Sequence, residues 1–291
     1  MTDRDTSKSL AVKRRHNIKW WDVAKYILLF IGAFAAVFPV IWMLLNSFKT
    51  STEILHIPPT FFPDKPTFDN FISAWDRINF AAYLRNTAIL ALSISAIICY
   101  TSAMLGYTLA KLKFWGRSGV FLTILISMMF PWSLTIIPLY KMMFVFHAQG
   151  TWLPLYFTTF FSAFGIFLMR QFCLSIPDDL IDAARMDGAN EFRLFHRIIL
   201  PMLGPPISAL AIFVFLGTWD DFLWPYLNIN TDSLSTINIG LSRFLRDTLG
   251  DSSRFGPLLA GTSISIVPIL IFYFIFQRRF VEGASLSGLK E

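Results

Sequence analysis

The sequence predicts an all-α membrane protein with six transmembrane helices. Of its 291 residues, 55% are hydrophobic and 15% are charged, whereas a soluble domain usually carries about a quarter charged residues. Core helices of large soluble proteins rarely run 18 residues without a charge, and a bilayer core needs about 20 apolar residues per helix. Six windows without Asp, Glu, Lys, Arg or His meet this requirement: 26–45, 87–110, 118–140, 148–169, 202–219 and 255–276.

Two other interpretations of the windows fail. Transmembrane β-strands alternate apolar and polar side chains at every second residue and run for only about 10 residues. A backbone in lipid must satisfy its own hydrogen bonds, so continuous apolar windows favour helices. The first window follows basic residues, as in a signal peptide, but its apolar run is too long and passes Pro39 and Trp42 without a clear cleavage site. We therefore expect a retained first transmembrane helix at 23–47, after a basic tail at 1–22.

The distribution of Lys and Arg predicts the orientation. Apart from Lys25 at the edge of the first window, sixteen of the 25 lie in the two terminal segments and in 111–117 and 170–201, and eight lie in the segments between the other windows. The positive-inside rule then places both termini in the cytoplasm, with the chain crossing a bacterial inner membrane several times. On this topology 48–84 is an external loop, 85–279 a core with spans two to six, and 280–291 a cytoplasmic tail.

Composition and charge also exclude several functions. The net charge of +6 is explained by topology and anionic lipid, so no nucleic acid partner is expected. Cys99, Cys173 and four scattered histidines have neither metal-ligand spacing nor a disulfide framework. A membrane enzyme is disfavoured because the sequence has no constellation of nucleophile, acid and base.

Polar residues within the windows are few. Ser102, Ala103 and Gly106 predict a close contact between helices. An ion-coupled carrier usually needs a charge near the midplane, and the scarcity of such charges counts against that class. Asp220 and Asp221 flank the fifth window beside two tryptophans, where we expect solvated interfacial acids rather than the wall of a substrate vestibule. Aromatic residues are abundant, but membrane packing explains most of them, so the sequence assigns no substrate-binding residue.

The segment 175–201 between the fourth and fifth windows has its own helical pattern. Ser175 is a candidate N-cap, Asp178 lies three residues later, and Pro177 suits the first turn. Gly188 stands where a left-handed C-terminal turn requires glycine, and a second helix is expected to start at Asn190 and Glu191. The spacing predicts a helix–turn–helix outside the bilayer, whose first helix presents small residues to a partner. A surface-lying amphipathic connector is the alternative, although the first helix lacks the aromatic face and basic rim of such connectors.

This segment resembles the "EAA" loop of permease subunits in binding-protein-dependent ATP-binding-cassette importers. That loop has the pattern Glu-Ala-Ala, three residues, Gly, nine residues, then Ile-x-Leu-Pro. The matching positions here are Asp182, Ala183, Ala184, Gly188, Ile198, Leu200 and Pro201. Only Asp182 departs from the pattern, in which Glu is usual; the charge is kept and the reach is shortened.

The resemblance implies a type I importer permease fold with a cytoplasmic coupling helix between spans four and five. It implies that a second homologous permease subunit completes the pathway, that an external solute-binding protein delivers the substrate, and that a cytoplasmic ATPase dimer drives transport. The seven motif residues would form the ATPase-coupling interface. No Gly-x-x-x-x-Gly-Lys-Ser/Thr loop occurs, so ATP and magnesium would bind to the partner ATPase, and this chain would be non-catalytic with no cofactor of its own.

A second resemblance concerns the substrate. Three segments are similar to the first external loop of the smaller permease subunit of maltose-type importers. They run from Asn46 to Lys49, from Pro58 to Thr60, and from Phe68 to Phe71. This implies a sugar or oligosaccharide; an alginate-oligosaccharide importer, with an acidic substrate, is one candidate. The region 249–252 corresponds to one that reaches toward the binding protein in the maltose system. The alternative function is a six-span ion-coupled secondary transporter.

Overall fold

The computed structural model describes residues 20–249 and 251–287, and every regular element in these ranges is a helix. The α-helices in chain order are α1 Trp20–Ser47, α2 Ser51–Ile54, α3 Asp69–Arg77, α4 Phe80–Lys111, α5 Arg117–Ser127, α6 Trp132–Val145, α7 Leu153–Phe157, α8 Ala163–Leu174, α9 Asp178–Met186, α10 Glu191–Leu194, α11 Leu200–Met202, α12 Gly204–Asp220, α13 Leu223–Asn228, α14 Ile237–Thr248 and α15 Phe255–Ser287. A π-helical segment, Phe195–Ile199, joins α10 to α11, and 3₁₀ turns lie at Asp232–Leu234 and Ser252–Arg254.

Three of the described helices are long and apolar enough to cross a membrane, namely α1 from Val23, α4, and α15 as far as Gln277. They confirm the first, second and sixth windows as helices. The predicted segment boundaries stay a prediction. The expected external loop 48–84 contains α2, α3 and the start of α4, and α15 continues past the expected tail boundary at 280. The predicted basic tail lies almost wholly outside the described residues.

The third window is not one straight helix. α5 and α6 meet at 101° across the break at 128–131, and Pro131 stands immediately before α6. Proline removes a backbone donor and ends the preceding helical turn. A second bend, of 77°, separates Glu191–Met202 from α12, which itself coincides with the fifth window.

The fourth window, 148–169, does not form one continuous helix, so that prediction is wrong. It contains the short α7, and the principal helix, α8, starts only at Ala163, where the Ser162 hydroxyl accepts a hydrogen bond from the Gly165 amide. α8 has 12 residues, about 18 Å of helix at 1.5 Å per residue, compared with about 30 Å of hydrocarbon. The described helices thus give three spans, or five if each bent pair is one span, and the count of six stays a prediction.

α4 lies at the centre of the fold and packs against α8 and α12, while α12 also packs against α15. The α4–α8 contact is close because Gly106 faces Met169. A Cβ on Gly106 would lie 2.5 Å from the Met169 Cβ, which is sterically forbidden. Ser102 and Ala103 are fully buried, which confirms the close contact expected from these small residues. α1, by contrast, is exposed along most of its length.

Candidate functional site

The predicted helix–turn–helix is present as α9, a turn and α10. Gly188 has φ +79 and forms the left-handed turn, as predicted. The Asn190 side chain caps α10 by accepting a 2.8 Å hydrogen bond from the Arg193 amide. Ser175 is not the N-cap of α9, because its hydroxyl donates to the Phe172 carbonyl at the end of α8. Pro177 occupies the cap position of α9 and offers no side-chain acceptor there.

The four motif residues on α9 and the turn after it differ in burial. Asp182, Ala183 and Gly188 are exposed on α9 and the turn that follows it. Ala184 is only 8% exposed and belongs to the main core cluster together with Ile181. A large side chain at Ala184 would therefore disturb this subunit's own core before it met a partner.

The three remaining motif residues lie further along the chain. Ile198 and Leu200 are half-buried and Pro201 is exposed, all on the segment that leads from α10 to α12. Their neighbours Leu194 and Ile199 are completely buried in the core cluster. This segment therefore anchors the helix–turn–helix to the membrane helices, whereas α9 and the turn after it carry three of the four exposed motif residues.

An ionic network fixes the α9–α10 turn. The Arg185 guanidinium contacts Asp182 at 3.2 Å and Glu191 at 3.0 Å. Glu191 also accepts a 2.6 Å hydrogen bond from the Tyr107 hydroxyl of α4. Partial burial favours a higher pKa for Glu191, but the hydrogen bonds from Tyr107 and Arg185 outweigh it and hold its pKa below the usual value. Glu191 is thus an anion at neutral pH.

Lys111 attaches the start of α9 to the end of α4. Its ammonium group donates to the Ile176 carbonyl and to the Asp178 carboxylate, both at 2.6 Å. The hydrogen bond from Lys111, together with its charge, lowers the pKa of Asp178. Two side chains of α4, Tyr107 and Lys111, therefore hold the two helices of the loop. Sequence reasoning missed both, because they are 84 and 67 residues from their partners; only the Asp182–Arg185 spacing was a readable signal.

The outer face of the loop combines apolar and acidic side chains. Met186 is 88% exposed and Phe192 71% exposed, and Leu180 adds a third apolar side chain. Four exposed carboxylates belong to α9 or directly follow it, namely Asp178, Asp179, Asp182 and Asp187. We call these seven residues the α9 surface. Protruding apolar side chains inside a charged rim are typical of a protein-binding surface.

A second polar feature lies near the other end of α4. Asp221 lines a small, largely enclosed cavity of about 60 Å³ together with Trp224 and hydroxyl residues that include Thr87, Thr218 and Thr236. The buried Thr236 hydroxyl has no hydrogen-bond partner. Asp220 is exposed, as expected for a solvated acid, but the same prediction is wrong for Asp221, which is half-buried.

The chain matches the family model described as "Binding-protein-dependent transport system inner membrane component" over residues 102–283. It is 35% identical to the arabinooligosaccharides transport system permease protein AraQ of Halalkalibacterium halodurans, over 89% of this chain and 92% of the relative. It is 34% identical to the diacetylchitobiose uptake system permease protein NgcG of Streptomyces coelicolor, over 89% and 86%.

Solved structures agree in fold. A chain of a bacterial ABC transporter involved in the import of the acidic polysaccharide alginate superimposes with a TM-score of 0.78 at 21% identity, covering 91% of this chain and 98% of that one. A chain of the bacterial alginate ABC transporter in complex with an alginate pentasaccharide-bound periplasmic protein gives a TM-score of 0.59 at 16% identity, over 91% and 99%. The family model and the relatives at 34–35% identity establish that the chain belongs to the inner-membrane permease components of binding-protein-dependent transport systems.

Proposed function

We propose that this chain is one of two permease subunits of an ATP-driven sugar importer and forms half of its translocation pathway. The observation that carries the proposal is the α9 surface, an exposed helix face held on α4 by Lys111 and Tyr107. A helix presented in this way suits docking into a cleft of a cytoplasmic ATPase. Closure of the ATPase dimer on ATP would displace α9, and α4 would move with it, as alternating access requires.

The proposed assembly contains this chain, a second homologous permease, the ATPase dimer and an external solute-binding protein. ATP and magnesium bind to the ATPase, so this chain is non-catalytic and needs no cofactor. Both termini lie in the cytoplasm on this proposal. The exposed carboxylates of the α9 surface predict that the ATPase cleft carries basic side chains at its rim, because opposite charges steer and align two docking surfaces.

For the substrate we propose a sugar or short oligosaccharide. The relatives at 34–35% identity are named for arabinooligosaccharides and diacetylchitobiose, and that similarity spans most of the chain. An alginate-like acidic oligosaccharide has weaker support, because the alginate importer matches in fold at 21% identity.

Docking is tested by co-purifying the ATPase with a tagged permease pair. Ala183→Trp adds bulk to the exposed face of α9, where this subunit has room for it, and should abolish ATPase retention and ATP-driven uptake. Ala81→Trp makes the same change at an exposed position of α4 next to Phe80, at the opposite end from Lys111, and should retain the ATPase. Full retention with normal uptake in Ala183→Trp would contradict docking through α9.

The energy source is tested in vesicles that contain the complete assembly. Uptake of a radiolabelled sugar should require internal ATP and the external binding protein. Uptake that follows a proton or sodium gradient without ATP would instead establish the ion-coupled secondary transporter.

A further inference from the structure

A basic cavity lies beside the end of α4 that holds α9. It has a volume of about 420 Å³, and its walls come from the α4–α5 connection, the start of α5, and α8. Its charged lining consists of Lys113, Arg117 and Arg170. None of the described carboxylates lies within 4.0 Å of these three side chains. Three like charges around one cavity repel each other unless an anion enters it.

The arginines are already fixed in place, but part of their donor capacity is free. Arg117 donates to the Ala110 and Leu112 carbonyls through Nη2 and Nη1. Arg170 donates through Nε to the Leu109 carbonyl, and its guanidinium stacks on the Phe121 ring at 3.9 Å. Its two terminal nitrogens make no described hydrogen bond. The arginines are therefore oriented before any ligand binds, which lowers the entropic cost of binding.

Lys113 has no described hydrogen bond and is exposed at the rim of the cavity. Its charge contributes to the lowered pKa of Asp178, but the direct partner of that carboxylate is Lys111. α5 begins in the cavity wall, and the Ser118 and Gly119 amides have no carbonyl partner within the helix, as at every helix start. These amides add to the donors that the three side chains supply.

We propose that this cavity binds a phosphate-type anion and that its source is the headgroup of an anionic glycerophospholipid. The aromatic neighbours favour a lipid over free phosphate: Trp115 is 99% exposed and Phe114 43% exposed. Exposed Trp and Phe beside basic residues are typical of the interface between headgroups and acyl chains. Since Lys111 of the same helix end holds α9, the bound lipid would lie beside the ATPase-coupling loop.

The test uses the complete transporter, released from bilayers of phosphatidylethanolamine and phosphatidylglycerol, with native mass spectrometry counting the retained lipids. Lys113→Gln is the main variant, since Lys113 holds no other part of the fold. It should lower phosphatidylglycerol retention about fivefold, the effect expected for one basic residue near an anionic surface. Lys113→Arg should restore retention. Lys141→Gln removes one charge from an exposed residue of α6, outside the cavity lining, and should leave retention unchanged.

Two outcomes would overturn the proposal. Equal phosphatidylglycerol retention in the parent protein, Lys113→Gln and Lys141→Gln would mean that the cavity binds no lipid, for example because a partner subunit covers it. The second outcome combines two results: millimolar inorganic phosphate displaces the lipid, and in lipid-free detergent phosphate stabilises the parent protein but not Lys113→Gln. Together these results would assign the cavity to a free anion. ATPase activity of the assembled variants confirms that each one is folded.

Discussion

The two ends of α4 share one kind of ionic attachment and differ in their other contacts. Near Phe80 the Tyr83 hydroxyl donates to the Asp232 carboxylate, which pairs with Arg243 at 2.8 Å, and at the other end Tyr107 donates to Glu191. At the end near Phe80, the Asn86 amide donates to the Ser233 and Ser235 carbonyls, and Thr87 accepts from the Ile237 amide. These groups are neutral, and Asn86 and Thr87 are almost completely buried.

At the other end the attachments are ionic and partly exposed. Lys111 binds Asp178, and Tyr107 binds Glu191 within reach of Arg185. Buried neutral hydrogen bonds specify one geometry, and the Asn86 end has these in addition to its ionic attachment. The Lys111 end holds the loop that carries the α9 surface by contacts to the Asp178 and Glu191 carboxylates. The predictions below remove a contact at one end of α4, the contact between α4 and α8, or a charge on α9.

The largest effect is expected at Gly106, where α4 meets α8. Gly106→Leu forces the two helices apart, at a cost of about 1–3 kcal/mol or more when the backbone must move. We expect loss of the folded transporter, measured as the yield of monodisperse protein. Gly32→Leu is the matched control, because a Cβ there meets nothing within 4 Å. Normal yield of Gly106→Leu would refute the close contact.

Lys111→Met breaks the attachment of α9 to α4. The buried Ile176 carbonyl loses its donor, which costs about 1–3 kcal/mol. Of the seven residues of the α9 surface only Asp178 loses its ion-pair partner, so the ATPase should still co-purify while ATP-driven uptake falls. Lys111→Arg, which keeps the charge and the donors, should retain more uptake. Equal loss of ATPase binding and uptake in Lys111→Met would mean that Lys111 shapes the docking surface and does not transmit its motion.

Asn86→Ala makes the corresponding break at the Phe80 end of α4. Removal of the amide leaves the Ser233 and Ser235 carbonyls without their donor, and we expect a loss of stability of about 1–3 kcal/mol. Thermal unfolding of the assembled complex measures it. ATPase co-purification should be unaffected, because α9 lies at the other end of α4. A selective loss of the ATPase would contradict the separation of the two ends.

The sequence predicted the loop better than the membrane part. Gly188 and Asn190 were identified because left-handed turns and helix caps select residue types locally. The break at 128–131 and the late start of α8 were missed, because a charge-free window reports composition, whereas bends depend on packing. The burial of Ala184 and the contacts of Tyr107 and Lys111 arise from tertiary structure between distant segments, which one sequence does not reveal. The π segment Phe195–Ile199 has no sequence signal of its own.

Tyr107→Phe should have a smaller effect than Lys111→Met. It removes one hydrogen bond to Glu191, which keeps its bond to Arg185. We expect a destabilisation of about 1 kcal/mol, because solvent screens a half-exposed carboxylate. The ratio of sugar transported to ATP hydrolysed is the sensitive readout and should decrease. An unchanged ratio would show that Lys111 alone is sufficient to hold the loop.

The smallest effect is expected for Asp182→Asn at the position where the family pattern has Glu. The Asp182–Arg185 pair is exposed, and Arg185 keeps its contact with Glu191. Pairs of this kind contribute less than about 1 kcal/mol. Uptake should fall only slightly, as measured in the same vesicles. An effect as large as that of Ala183→Trp would show that Asp182 binds the ATPase directly.

The most direct test of the central claim, that α9 moves as one body with α4, is a distance measurement in the complete transporter. Spin labels at Ala81 and Arg193, an exposed residue of α10 that is not part of the α9 surface, report the separation between the far end of α4 and the α9–α10 loop by pulsed electron resonance. Cys99 and Cys173 are replaced by alanine in the same sample. We predict one distance distribution with and without bound ATP, in a sample whose uptake depends on ATP. A shift of about one helical turn, 5.4 Å, or more on ATP binding would contradict the account.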